Sequence, residues 1–516
     1  MGILIFLLQY FVLFLALSLL SDHVRRKILN HPPVPFSYLP FIGHLYLFNK
    51  PLHRALSQIS ARHGPLVLLR FGSRRVLLVS SPSAAQECFT KNDVVFANRP
   101  RFLAGKHLGY NFSTLSWSSY GDHWRTLRRI SSLEILSAHR LQTLSGIRSD
   151  EVRSLIRRLF REGYTHSAAN RSVDMKSAFF ELMLNVLMRM MVGKRYCGES
   201  SVDMEEAKRF KQIVTETFQL MRASNVEDYL PATRWMGLGR TEKKMMELQK
   251  KRDKLVQDLI EEHRRMLESS NGEDYWNCEG GKKTMIEVLL TLQKKDPLYY
   301  TDYLIQGMLM AFLSAGTDTS AATMEWALSL LLNNPHVLKK AQVEIDEHVG
   351  FGRLIDESDV DKLPYLRCII KETQRMYPAT PLLPLHESSK ECKVGDFHIP
   401  SGTILLVNLW GIQNNPEIWS EPTKFHPERF QGKEGDQDGF KLMPFGSGRR
   451  SCPGQGLAIR VVGFALASLL QCFEWERNGE EMIDMSEGPG MTMPKLNPLV
   501  AKYRPRKAMM NVLSQI

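Results

Sequence analysis

A mainly α-helical domain with small β-sheets is what three features of the sequence predict. Apolar residues recur at helical spacing through the long segments, from Glu205 to His263, from Thr301 to Leu332, after Pro364 and from Gln455 to Phe473. Strand-like patterning, broken at Gly72-Ser73, is read in Leu66–Ser80. The residues with the most distinctive chemistry are spread from Trp124 to Cys452, with no Pro/Gly/Ser-rich linker between them. One large folding unit therefore fits better than the two or three that 516 residues would ordinarily imply.

Composition narrows the function classes. An apolar share of 43% supplies a large core. A formal charge of +12 and an isoelectric point near 9.2 permit nucleic acid, anionic lipid or an acidic protein as partner. No nucleic-acid module is recognisable, so nucleic acid is not expected. Arg125, Arg128, Arg129, Lys441, Arg449 and Arg450 instead gather in segments on either side of a cysteine-containing loop, as a docking face for an acidic partner would require. The seven cysteines contain no Cys-x-x-Cys pair, which fits a reducing compartment and argues against zinc.

The N-terminus reads as a membrane anchor. Gly2 to Leu20 is long enough to span a bilayer, broken only by Gln9, Tyr10 and Ser18, and Arg25, Arg26 and Lys27 follow it. Lacking a basic leader and a small-residue cleavage site, it is expected to be retained as residues 1–21 and to leave the remainder in the cytosol. Residues 22–43, basic and proline-rich through His31-Pro32-Pro33-Val34-Pro35, make a stiff hinge, and 44–516 form the catalytic domain.

Further elements follow in order. Leu66–Ser80 is a hairpin turning at Gly72-Ser73, and a loop through Phe102, Leu108, Tyr110 and Phe112 opens at Asn98-Arg99-Pro100. Trp124 and Arg128 lie one helical turn apart, so both can face one carboxylate. Asp228-Tyr229-Leu230-Pro231 interrupts the charged helices between 205 and 263, and Trp235, Met236 and Leu238 nearby either dip into membrane headgroups or bury in the protein. The long apolar helix from Thr301 carries Ala315-Gly316-Thr317-Asp318-Thr319-Ser320, where Gly316 admits a flat ligand and the hydroxyls loosen the helix into a groove. Glu372 and Arg375 pair at i,i+3 before Pro378 stops their helix. Met491-Thr492-Met493 is expected to return to the pocket as a strand end.

The organising stretch is Pro444-Phe445-Gly446-Ser447-Gly448-Arg449-Arg450-Ser451-Cys452-Pro453-Gly454, a glycine-rich loop opening into the apolar helix from Gln455. Its glycines free the backbone for close approach to a flat ligand, and Arg449 and Arg450 favour the Cys452 thiolate over the thiol. A thiolate in such a loop suits metal ligation.

Phe445-x-x-Gly448-x-Arg450-x-Cys452-x-Gly454 resembles the haem-ligand signature of the cytochrome P450 monooxygenases. The resemblance implies a P450 fold, one triangular domain, and haem b with Cys452 as the iron ligand. It further implies haem contacts from Phe445, Arg450, Ala315 and Gly316, propionate contacts from Trp124, Arg128 and His386, and a proton relay through Asp318 and Thr319. His386 departs from the family pattern, because Leu385 intervenes where a basic residue often follows the proline directly. Glu372 and Arg375, with Arg429 of Pro427-Glu428-Arg429-Phe430, resemble the family's buried Glu-Arg-Arg triad. Phe112, Phe312, Leu382, Leu383 and Met491 are implied as substrate-pocket residues.

Asn98-Arg99-Pro100, Tyr120-Gly121 and Met491-Thr492-Met493-Pro494 look most like plant microsomal members, closest to the isoflavone-hydroxylase-like group. That likeness implies electrons from NADPH through cytochrome P450 reductase and a lipophilic flavonoid, lignan, terpenoid or indolic substrate. It also implies single-pass anchorage in the endoplasmic reticulum membrane. Two other classes share the haem-thiolate loop: an isomerase or dehydratase that needs no reductase, and a non-catalytic haem sensor. Neither needs the Asp318-Thr319 pair.

Overall fold

A computed structural model describes residues 28–516 apart from 36–38, 40, 50, 166–171, 197–203, 222–224, 236–239, 270–282 and 433–437, and also Phe6, Gln9, Tyr10 and Leu13. The expected anchor therefore lies almost wholly outside the described residues, as do Met236 and Leu238. Among the described residues only the helix Gln455–Cys472 is long and apolar enough to cross a membrane, and most of it is buried in the protein core.

Helices dominate. Those that build the site are α1 (Leu52–His63), α2 (Asp122–Ile130), α3 (Met175–Val192), α4 (Met204–Leu220), α5 (Arg240–Ser269), α6 (Asp302–Asn333), α7 (Pro364–Met376) and α8 (Gln455–Cys472). α6 is the central pillar, packed against α3, α4, α5, α7 and α8. Its apolar run continues around the whole circumference, as burial on all sides requires. Thr301 caps its start by accepting a hydrogen bond from Leu304 N–H, and α3 ends at Gly193, whose left-handed φ of 73° suits glycine. α7 begins at Pro364, with the Glu344 carboxylate accepting from the free N–H groups of Tyr365 and Leu366 at 2.6 and 2.9 Å.

The expected hairpin is present as β1 (Leu66–Phe71) and β2 (Arg74–Val79), in antiparallel register from Leu66–Val79 to Phe71–Arg74. The remaining strands are β3 (Ser172–Asp174), β4 (His386–Glu387), β5 (Cys392–Val394), β6 (Phe397–Ile399), β7 (Ile404–Val407), β8 (Phe473–Arg477) and β9 (Val500–Pro505). They form sheets ordered β1-β2-β7-β4, β3-β9-β8 and β5-β6. Met491–Met493 is not a strand end. It lies in a tight loop closed by an isolated bridge between Glu487 and Lys495, and Met493 N–H donates to the Ala379 carbonyl at 2.9 Å.

Behind the site, Glu372 and Arg375 are wholly buried and joined by a forked pair of 2.7 and 2.9 Å. Arg429 Nε adds 3.0 Å to Glu372 Oε1, and His426 N–H donates to the same oxygen at 3.1 Å. Arg375 also donates to the carbonyls of Gln413 and Pro422, both at 2.8 Å. Two buried charges and the loop from Gln413 to Arg429 are thus satisfied together, as buried ions require.

Candidate active site

One cavity of about 780 Å³ lies between α6, the Cys452 loop and the loop opening at Arg99. Cys452 lines it from the N-terminal end of α8, where Gly454 and Gln455 N–H groups point at the sulfur. Burial pushes the thiol above its ordinary range; those two N–H groups and the Arg128 guanidinium oppose the rise. The loop needs its glycines. Gly446 and Gly448 both take φ 69°, and a side chain on Gly448 would strike Asp93.

The charge at the sulfur is not the one expected. Arg449 turns outward to Asp93 at 3.1 Å and to the Tyr120 hydroxyl at 3.0 Å. Arg450 donates to the carbonyls of Ala97, Leu115 and Ser118 and stacks 4.6 Å above the Trp124 ring. Arg128, from α2, supplies the positive field, held by the Ser451 carbonyl at 2.6 Å. Its i+4 partner Trp124 lines the cavity too, with its indole N–H on the Leu115 carbonyl at 3.2 Å.

Arg99, Arg128 and Arg450 all line this wall and bond carbonyl or hydroxyl oxygens rather than carboxylates. Burial first, then the neighbouring guanidiniums of Arg99 and Arg128, push Arg450 down. Arg99 Nε has no partner. Three cations so placed, next to an enclosed sulfur, are a donor set for a flat ligand bearing carboxylates and a thiolate-bound metal; the residues fit a haem. Arg99 was legible only as a loop position, because nothing local distinguishes a ligand-facing arginine from a solvated one.

His386 lines the cavity, but as a neutral ring. Burial first, and then Arg99, push it well below its ordinary value, and its Nδ1–H donates to the Phe96 carbonyl at 2.7 Å. A ring in that state has no second proton to offer a carboxylate, whereas Arg99 beside it is a donor alone.

On the opposite wall, Phe312, Ala315, Gly316 and Thr319 of α6 reach the cavity, with Leu382, Leu383 and Met491. A β-carbon on Gly316 would meet Leu187 of α3 at 2.9 Å, so that glycine serves the close packing of two helices rather than the ligand. α6 is not broken at the hydroxyl cluster: Thr317, Thr319 and Thr323 each donate to the carbonyl four residues back. Phe112 does not line the cavity. Tyr110, Asn111 and Phe112 all take left-handed φ, between 49° and 61°, and this turn lays the Phe112 ring under Arg101 at 4.3 Å.

Asp318 and Thr319 part company. Successive helical positions diverge by about 100°, and Asp318 leaves the cavity wall to accept from the Thr492 hydroxyl at 2.7 Å. Burial pushes the Asp318 carboxyl up, against the Thr492 bond and Lys176. Thr492, expected only as part of a strand end returning to the pocket, lines the cavity and so links it to the acid.

A family model described as Cytochrome P450 matches residues 32–501. Cytochrome P450 81Q32 of Catharanthus roseus is 50% identical over 504 residues, spanning 98% of this chain and 97% of that protein. Isoflavone 2'-hydroxylase of Glycyrrhiza echinata is 46% identical over 513 residues, spanning 99% of each. A zebrafish cytochrome P450 solved with progesterone superposes with a TM-score of 0.73 at 24% identity, covering 89% of this chain and 100% of that one, which speaks to the fold alone.

Proposed function

The chain belongs to the cytochrome P450 family of haem-thiolate monooxygenases, and from that premise we propose that it hydroxylates a lipophilic plant specialised metabolite of the flavonoid, lignan, terpenoid or indolic class. NADPH supplies two electrons through cytochrome P450 reductase. The observation that carries the reading is the placement of Cys452 and Thr319 on one largely apolar cavity. When bound, haem supplies the oxidising chemistry: one atom of dioxygen enters the substrate and the other leaves as water, with two protons.

The chain's own groups do the rest. Cys452 would hold the iron and Arg99, Arg128, Arg450 and Trp124 the haem carboxylates, with Ala315 and Phe445 also lining the haem site. Phe312, Leu382, Leu383 and Met491 exclude water and set the substrate's pose. Thr319 Oγ1 donates to the Ala315 carbonyl at 2.7 Å, so its lone pairs are free to accept from a water and hold it at the cavity wall. Asp318, its proton affinity raised by burial, exchanges protons with that cavity through Thr492 Oγ1. Glu372, Arg375 and Arg429 position the loop leading to Cys452.

Thr319→Ala tests the proton path. The variant keeps haem, substrate binding and NADPH consumption but diverts electrons to hydrogen peroxide. Positioned acid–base groups contribute roughly 10²–10⁴-fold; with Ser320 also on the cavity, the loss of product per NADPH is expected at or below the low end. Unchanged coupling would leave Thr319 as a shaping residue and move the proton path to Asp318 and Thr492.

We place the protein in the endoplasmic reticulum membrane, anchored by residues 1–21 with the catalytic domain cytosolic. Asn111-Phe112-Ser113 and Asn170-Arg171-Ser172 then stay unglycosylated, although Asn111 is exposed. Asn170 lies outside the described residues. A glycosidase-sensitive mass in protein from native membranes reverses the orientation.

A further inference from the structure

Two residues at one end of the cavity carry polar atoms with no hydrogen-bond partner among the described residues: Arg252 at Nε and Thr114 at Oγ1. They are 2% and 4% exposed. Arg252, on α5, spends its Nη1 on the Leu108 carbonyl at 2.9 Å and on Gln249 Oε1 at 2.8 Å, both neutral acceptors. Asp253 and Tyr110 face its charge at longer range. The guanidinium lies 5.6 Å from the centre of the Tyr110 ring. That ring and Thr114 Cγ2 close over Gly307 of α6, at 3.3 and 3.1 Å from where a β-carbon would stand. Arg252, Thr114 and Gly307 thus share one corner. Thr319 is twelve residues farther along α6 than Gly307, about 18 Å at 1.5 Å per residue. Ser314, between them on the same wall, has a further unpartnered hydroxyl among the described residues.

Polar atoms left unpaired in the interior are costly, and a buried cation without a bonded carboxylate more so. A ligand removes the cost only if it brings an acceptor, because a guanidinium has donors alone. We propose that Arg252 and Thr114 form a specificity subsite for an oxygen acceptor, a carbonyl or an ionised phenol, carried by the substrate on the end remote from the carbon that is oxidised. The proposal takes from the monooxygenase reading only which end of the cavity reacts. A site built to donate to such an oxygen discriminates strongly against the analogue that lacks it.

The test uses the full-length haem-loaded protein and two matched probes, flavanone and flavan, which share a saturated skeleton and differ in the ring carbonyl. Dissociation constants are measured by titration calorimetry, a readout independent of turnover. Wild type is expected to bind flavanone at least about tenfold more tightly than flavan, the range of a hydrogen bond to a charged group. Thr114→Val and Arg252→Met each lower flavanone affinity by about that factor and leave flavan affinity unchanged. Thr114→Val, which removes a hydroxyl that bonds nothing, also keeps or raises the melting temperature; a merely structural threonine would lower it. Equal binding of the probes by wild type, binding of neither, or parallel weakening of both in the Thr114→Val protein overturns the subsite. Absence of the carbonyl preference in wild type with an intact ferrous–carbon monoxide band rejects this inference alone. A preserved preference without that band rejects the monooxygenase reading instead.

Discussion

Cys452→Ser is expected to abolish both the red-shifted ferrous–carbon monoxide absorption and product formation while leaving a folded protein. The fold survives because the substitution is nearly isosteric and because the loop is held by its backbone: Cys452 N–H donates to the Phe445 carbonyl at 2.8 Å, Gly446 and Gly448 hold their left-handed turns, and α8 starts beyond the sulfur. Activity does not survive, because only a thiolate pushes enough electron density through the iron to favour O–O cleavage, and a serine hydroxyl is a far poorer donor. The Gly454 and Gln455 N–H groups and Arg128 are arranged to stabilise negative charge on sulfur, and at a neutral hydroxyl that arrangement has nothing to act on. Absorption spectra of the dithionite-reduced, carbon monoxide-treated variant decide the matter. Retention of the red-shifted band would sink the assignment of Cys452 as ligand.

Breaking the buried triad is expected to cost the fold itself. Glu372→Ala leaves Arg375, wholly buried, with two carbonyl partners and no counter-charge, and strips Arg429 Nε and the His426 N–H of their shared acceptor. Removing one partner of a buried ion pair typically costs about 3–5 kcal/mol, against a total stability of roughly 5–15 kcal/mol. Arg375→Lys fails similarly, since an ammonium cannot reproduce the two-pronged contact at 2.7 and 2.9 Å. Thermal unfolding followed by circular dichroism, with haem content measured in parallel, gives the readout. Wild-type melting of Glu372→Ala would show that the triad is dispensable for stability.

Most of the architecture was legible because it is local. Period, caps and breakers announced α6, α7, α8 and the β1–β2 hairpin, and the spacing around Cys452 announced a ligand loop in which Gly446 and Gly448 do take the left-handed turns that glycine adopts cheaply. Trp124 with Arg128, and Glu372 with Arg375, were readable for the same reason: one helical turn fixes their common face.

What the chain order could not reveal is which side chains meet across hundreds of residues. Arg128 rather than Arg449 or Arg450 faces the sulfur, because Asp93 and the carbonyls of Ala97, Leu115 and Ser118 capture the two nearer arginines. Burial and the neighbouring Arg99 keep the His386 imidazole neutral, which its place in the sequence did not reveal. Phe112 turns from the cavity through three left-handed residues, and Gly316 yields its space to Leu187. Asp318 reaches the cavity only through Thr492, which is 174 positions away. Periodicity places a residue on a face; the partner opposite that face is chosen by packing, and burial then sets the charge each group can carry.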